Sequence, residues 1–446
     1  MRYRAVREGV GVYDTEVAVV GGGAAGLSLA HRLCAPPPGV RCPRVTVVDA
    51  PPGPLRPPER TWCYWERPDG EYDGVLAASW DRLRVHGTDG APLTGRPAPL
   101  RYKMMRSGAF EKLVGDRLAA TPSARRVTAV VDEVRTLPGG AEVRGTTAEG
   151  DPVRLRARWV FDSRPLPALP PARTTLLQHF HGWFVRTERP EFDPATADLM
   201  DFRTPQPDHG LSFGYVLPLG PHEALVEYTE FSAAPLDEAA YHRALRHYLT
   251  AVRPLGPYRI TASEQGVIPM TDARFPRAAG PGVFRIGAAG GATRPSTGYT
   301  FAAVQRQTRT VAAAFHRGRV PAPPPPHSAR SRLMDAVLLR ALDRGRIDGA
   351  DFFTGLFRGV PMERLLRFLD GGTRLREDLS IGLHTPVLPM LRTVAELPGL
   401  RRRPYVRPAR TESGAPKTAP PDAPTTAPTT APAPNRNGPS DDAPPE

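Results

Sequence analysis

Three stretches of the sequence predict an α/β fold of two domains, a Rossmann-type dinucleotide-binding domain and a β-sheet domain, followed by C-terminal helices. The first is Thr15 to Asp49: an apolar run ends in glycines, an Ala/Leu-rich segment follows, and a second apolar run closes on an acid. The second is a period-two pattern from Thr174 to Phe231. The third, Val283 to Phe315, repeats the order of strand, glycine turn and helix.

Residues 16–20 read as a strand, and Gly21, Gly23 and Gly26 stand at G-x-G-x-x-G spacing where a helix opens, with Ala24 and Ala25 in the same turn. Side chains there would hold the backbone away from a pyrophosphate, and amides at a helix N-terminus face such an anion. The strand 45–48 ends in Asp49, where a dinucleotide site needs a carboxylate for ribose hydroxyls. Close packing of helix on sheet without a ligand explains the glycines but not the acid.

After a Pro-rich turn, residues 59–66 set Trp62, Tyr64 and Trp65 in a loop-like context. Such aromatics serve either as core or as the wall of a pocket for an apolar or cationic ligand. A helix is expected over 108–120. Strands at 127–134, 141–145 and 153–156 make a small antiparallel sheet, and 159–164 returns to the parallel one.

Strands at 176–187, 199–203, 212–219 and 224–231 then form a meander with one wide face, the shape of a substrate domain over a flavin. Alternation in the last strand groups Leu225, Glu227, Thr229 and Phe231 on one side and Val226, Tyr228 and Glu230 on the other. Glu227 is therefore a carboxyl among apolar neighbours. Burial of that face raises its pKa and makes it a general acid; exposure leaves an ordinary solvated or salt-bridged glutamate.

A helix over 237–252 and an apolar run at 266–270 lead to the third stretch. A strand at 283–287, a Gly-rich turn and a helix from 296–301 to about 315 contain Gly287, Gly290, Gly291, Ser296, Thr297 and Gly298. This aims a second positive helix end at the cofactor, where an electron-rich flavin ring can use it. With no second fingerprint and acid, the expected cofactor is one tightly held FAD, without an NAD(P)H domain. Apolar stripes at 331–343 and 362–369 suit core or membrane contact.

The resulting division is 14–165 and 271–320 for the two parts of the FAD-binding domain, 166–270 for the substrate domain and 321–400 for the helical region. Residues 401–446 are basic at first, with Arg401, Arg402, Arg403, Arg407 and Arg410, and then a Pro/Ala/Thr-rich tail expected to be disordered. That basic cluster suits either anionic lipid headgroups or plain solvation.

The net charge of +13 does not mark a nucleic-acid partner: 56 of the 59 basic residues are arginine and are spread along a chain of 54 prolines, as coding bias produces. Cys34, Cys42 and Cys63 are too few and too irregular for a disulfide framework or a zinc site, so no metal is expected and the cytoplasm is the expected compartment. Neither a signal-peptide core nor eighteen consecutive apolar residues occur.

In this order the blocks VAVVGGGAAGLSLA, RTWCYW, QHFHGWFV, FDPATADLMDFR, FGYVLPL with ALVEYTEFS, and IGAAGGATRPSTGYTF resemble the FAD-dependent lycopene cyclases of the bacterial lycopene β-cyclase type. The resemblance spans roughly residues 16–315 and continues more weakly to about 389; a general flavin monooxygenase would share only the first block. It implies that Glu227, the first glutamate of a Leu-x-Glu-x-Thr type motif, is the catalytic acid. Many plant relatives have a second acid where this chain has Tyr228, which leaves the partner of Glu227 open.

The implied reaction is the non-redox cyclisation of the ψ end groups of lycopene to β-ionone rings, giving γ-carotene and β-carotene, by an isomerase of the intramolecular lyase class. Trp62, Tyr64, Trp65, Trp183 and Tyr215 are the aromatics available to a cationic intermediate. Reduced FAD, with NAD(P)H as external reductant, either adds negative charge or delivers the proton itself. Implied partners are lycopene, related acyclic carotenoids and the inner face of a membrane, bound peripherally. The alternative is an FAD-dependent hydroxylase or prenyl reductase acting on an isoprenoid, which would consume NAD(P)H. A lipid-binding module of this fold would show a degraded fingerprint, and a carotenoid-binding protein would need the aromatics but not Glu227.

Overall fold

In the computed structural model, which describes residues 13–407, Thr15–Val20 (β1) lies inside a parallel sheet because both of its faces are covered. It pairs in parallel with Val45–Asp49 (β2) on one side and Pro152–Asp162 (β11) on the other. Ala124–Thr128 (β8) extends the sheet beyond β2, and Val283–Arg285 (β18), edged by Ala278–Gly280 (β17), extends it beyond β11. The chain thus returns to this sheet after a long excursion. The expected strand over 127–134 is in fact two: β8 stays parallel, and Val130–Leu137 (β9) turns away to pair with Gly140–Thr146 (β10). The expected strands 153–156 and 159–164 are one continuous β11, antiparallel to β10 over its first half and parallel to β1 from Ala157 to Asp162.

Residues 59–66 are not a loop. Thr61–Glu66 (β3) pairs with Arg101–Arg106 (β7), which also holds Ala78–Trp80 (β4), in a small three-stranded sheet. Nor is the second region a simple meander. Its seven strands run in the order Tyr258–Thr271 (β16), Thr175–Thr187 (β12), Glu223–Ser232 (β15), Leu211–Gly220 (β14), Thr196–Asp201 (β13), Arg82–His86 (β5) and Pro92–Gly95 (β6). Strands β13, β14 and β15 are successive neighbours, but β12 closes on the far edge of β15, and residues 82–95 join from the first third of the chain.

Ala24–Leu33 (α1) and Phe301–His316 (α4) cover the parallel sheet, tied by Gln305 donating to the Ser28 hydroxyl at 2.9 Å. Ser107–Ala119 (α2) packs beside them. Glu238–His247 (α3), capped by the Asp237 carboxylate, lies on one face of the seven-stranded sheet. The other face meets the small sheet and Ala329–Asp343 (α5), Gly349–Gly359 (α6) and Met362–Leu369 (α7). Leu375–Gly382 (α8) and Val387–Glu396 (α9) complete the helical region; α6, α8 and α9 exceed what the sequence stripes foretold. Ser328 and Asp348 cap α5 and α6 through their side chains. No helix among the described residues is long and apolar enough to cross a membrane. Arg410 and the tail from 411 lie outside the described residues.

Candidate active site

The glycine turn after β1 is dictated by close approach. Gly21 has φ +98°, in the left-handed region. A Cβ on Gly26 would stand 2.0 Å from the Gly21 carbonyl oxygen, and one on Gly22 would stand 2.2 Å from Asp49 Oδ2. At Gly23 no atom lies within 4 Å of that position, so the turn is open on the side where an anion would approach the α1 N-terminus. Asp49 accepts from the Gly22 amide at 2.8 Å and from Arg126 at 3.0 Å, which fixes its carboxylate beside the turn.

The second glycine turn meets the first. Gly287 has φ +65°, and a Cβ there would lie 2.6 Å from the Cβ of Ala25. A Cβ on Gly298 would lie 2.1 Å from Gln178 Oε1, and Gly290 and Gly291 share this turn. Ser296 is committed elsewhere: it donates to Asp335 at 2.7 Å, beside the buried Arg294–Asp335 ion pair at 2.9 Å. By contrast the Thr297 hydroxyl and Gln178 Oε1 are buried without a partner among the described residues, and both residues line a cavity. A glycine turn open at Gly23, a second turn packed against it and unpaired polar atoms nearby fit a dinucleotide with a polar heterocycle.

Glu227 lies on the wall of that cavity, which holds about 180 Å³, and is 6% exposed. On β12 the residue opposite Glu227 is Gly182, and the residue opposite Gly182 on the next strand, β16, is Glu264. A glycine between the two acids leaves room for their carboxyls to meet: a Cβ on Gly182 would stand 2.8 Å from Glu227 Cγ. Burial, and then the charge and hydrogen bond of Glu264, raise the Glu227 pKa well above the ordinary glutamate range, which favours the protonated form. Glu264 is tied to a cation: Arg106 of β7 lies 2.9 Å away, and the Thr61 hydroxyl donates to the same carboxylate oxygen at 2.8 Å. Arg106 also pairs with Glu59 at 2.7 Å and stacks over Phe184. The result is a buried carboxyl backed by an ion-paired carboxylate.

Tyr215 stands directly across from Glu227 on β14 and lines the cavity. Its hydroxyl meets that of Tyr102, which meets Tyr299 at 2.8 Å, and burial pushes all three pKa values up, so these phenols stay neutral. Burial likewise pushes the Cys63 thiol to about 12. Trp62 lines the cavity, stacked 5.6 Å from Phe301. The other three aromatics expected in the pocket are not on its wall. Tyr64 packs on Phe301 in the core beneath the parallel sheet, and Trp65 is buried edge-on against Tyr299. Trp183 faces the opposite side of the seven-stranded sheet, among Val216, Val226 and Tyr241, because it is one residue out of phase with Gly182.

Sequence reasoning missed Glu264, Arg106, Thr61 and Tyr299. For Glu264 a signal existed only in the pairing register.

Residues 16–395 match the protein family described as lycopene cyclase protein. An uncharacterized carotenoid cyclase of Deinococcus radiodurans is 27% identical over 429 residues, covering 90% of this chain and 95% of that protein. Among solved structures, a geranylgeranyl bacteriochlorophyll reductase-like protein of Thermoplasma acidophilum superposes with a TM-score of 0.56 at 14% identity, over 87% of this chain and 99% of the other. The flavin-dependent monooxygenase PieE, solved with FAD and substrate, gives 0.54 at 15% identity, over 92% and 78%. The architecture is thus the α/β fold of the FAD-dependent reductases and monooxygenases.

Proposed function

From the premise that the chain belongs to the lycopene cyclase family, we propose that it is a lycopene β-cyclase. It converts the ψ end groups of lycopene to β-ionone rings, with Glu227 as the acid. The observation that carries this reading is a carboxyl buried on an aromatic cavity wall, set across a glycine from a second, ion-paired carboxylate.

Glu227 gives its proton to the terminal double bond of the polyene. The internal double bond closes on the resulting carbocation to form the ring, and a ring proton leaves to restore a double bond. Substrate and product therefore have equal mass. The Glu227 carboxylate formed beside Glu264 is a strengthened base, and it takes up the departing proton to regenerate the acid. Trp62 and Tyr215 present aromatic faces to the cation, at about 0.5–2 kcal/mol each when water is excluded. The neutral phenols and thiol offer no competing nucleophile of negative charge.

FAD would be held by Gly21, Gly23, Ala24, Ala25, Gly26 and Asp49, and by Gly287, Gly290, Gly291, Thr297 and Gly298, with Ser296 bracing the second turn through Asp335. Reduced FAD, when bound, supplies an electron-rich ring whose negative charge favours a nearby carbocation, with NAD(P)H as the external reductant. The substrate does not dissolve in water, so it is taken from a membrane.

The test is anaerobic turnover of lycopene by wild type and Glu227→Gln, with FAD reduced beforehand by dithionite and product mass recorded. Cyclic product of unchanged mass from wild type, and its loss in a variant that keeps its flavin, is the expected result. A mass change of two hydrogens or one oxygen would mean a prenyl reductase or hydroxylase, chemistries known on this fold. Normal turnover by Glu227→Gln would move the proton donor elsewhere.

A further inference from the structure

A second cavity, of about 240 Å³, adjoins the first: Ser296, Thr297, Phe353 and Leu369 belong to the walls of both. Its outer wall is built by α8 and α9, through Ile381, Met390 and Val394. The opposite sides of these two helices are apolar and exposed. Leu375, Leu379 and Leu383 repeat every fourth residue and are 57%, 65% and 78% exposed; Leu388 and Leu391 on α9 are 60% and 59% exposed. A patch of this kind, on helices too short to cross a membrane, marks an interaction surface.

Its charge selects the partner. The acids of the two helices are already engaged: Glu377 with Arg367 at 2.7 Å, Asp378 with Arg330 at 2.7 Å, and Glu396 with Arg340 and Arg346. Among the described residues Arg374, Arg376 and Arg392 are exposed and form no ion pair. Leucines ringed by free arginines complement an anionic bilayer surface, where apolar side chains enter the acyl boundary and guanidinium groups meet phosphate. The basic cluster named in the sequence is a weaker candidate. Arg402 is tied to Asp272 at 3.3 Å and by donating to its carbonyl at 2.7 Å.

We propose that α8 and α9 dock the chain on an anionic lipid surface, and that the cavity behind them leads the apolar substrate from that surface to Glu227. The second clause rests on the cyclase reading; the first does not. The cavity behind the two helices is walled largely by apolar side chains, among them Leu333, Leu338, Phe352 and Leu356, and its wall is continuous with that of the Glu227 cavity at Phe353 and Leu369.

The experiment compares full-length wild type with a Leu379→Asp, Leu383→Asp, Leu391→Asp variant, whose altered side chains line neither cavity. Flotation with phosphatidylglycerol/phosphatidylcholine vesicles and with pure phosphatidylcholine vesicles reads docking. Turnover of lycopene in vesicles and in detergent micelles reads delivery. Wild type should float with the anionic vesicles. The variant should bind them about tenfold more weakly or less, and lose vesicle-fed turnover in proportion, while its micelle-fed turnover and thermal midpoint stay at the wild-type level. Arg376→Glu with Arg392→Glu should abolish the preference for phosphatidylglycerol. Failure of wild type to float, equal flotation of the variant, or a change only in its oligomeric state by light scattering would overturn the docking proposal. No cyclic product from micelles would instead overturn the cyclase reading and leave the flotation result to decide docking.

Discussion

Replacing Glu264 with glutamine removes the charge beside the proposed acid and keeps its shape. Glu227 acts only when protonated, so turnover should fall as pH rises through its pKa. That pKa is raised first by burial and then by Glu264. Arg106, 2.9 Å from Glu264, offsets part of that charge, and the rest acts on Glu227. Because burial, the larger cause, persists in Glu264→Gln, the alkaline limb should move to lower pH and remain above the range of a free glutamate. The assay is initial rate against pH, with the flavin reduced beforehand and flavin content equalised. The sign also holds for stability: a folded-state pKa above the unfolded one makes stability decline as pH rises between the two values, and Glu264→Gln narrows that interval. A limb that stays in place, or moves to higher pH, would refute the coupling of the two carboxyls.

Gly182→Ala would put a Cβ 2.8 Å from Glu227 Cγ and 2.9 Å from Leu225 Cδ1, so turnover should drop about 100-fold with a stability loss of about 1–3 kcal/mol, read by kinetics and urea melts. Gly26→Ala collides with the Gly21 carbonyl oxygen at 2.0 Å and should yield protein without flavin absorbance after purification. Asp335→Ala strands the buried Arg294, 3% exposed, and should cost about 3–5 kcal/mol in chemical denaturation, far more than an exposed aspartate such as Asp116.

The parts of the fold that were legible in the sequence are those written by local chemistry. Gly21, Gly23 and Gly26 are required where backbone meets backbone, and the alternation of Leu225, Glu227, Thr229 and Phe231 needs nothing beyond one strand. Glu264 was not legible: its stretch, RITASEQG, is largely exposed and lacks an apolar period, so only pairing across β12 brings it to Glu227. Parity within 178–184 already separates Phe180, Gly182 and Phe184 from Trp183, but which set faces Glu227 depends on register with β15. The strand character of 61–66 was hidden because its partner, Arg101–Arg106, lies beyond two turns and another sheet's strands. Helices α8 and α9 expose so many leucines that no single buried stripe announces them.

Arg106 belongs to the three-stranded sheet and Glu264 to the seven-stranded one, so their contact is also a latch between two bodies. Sliding one sheet from the other would leave Glu264 with its full charge facing Glu227, which would then grip its proton more tightly. With Glu227 as the proposed acid, the acidity delivered to a substrate becomes a gauge of how firmly the two sheets are seated, and a loosened molecule would fall silent before it unfolds.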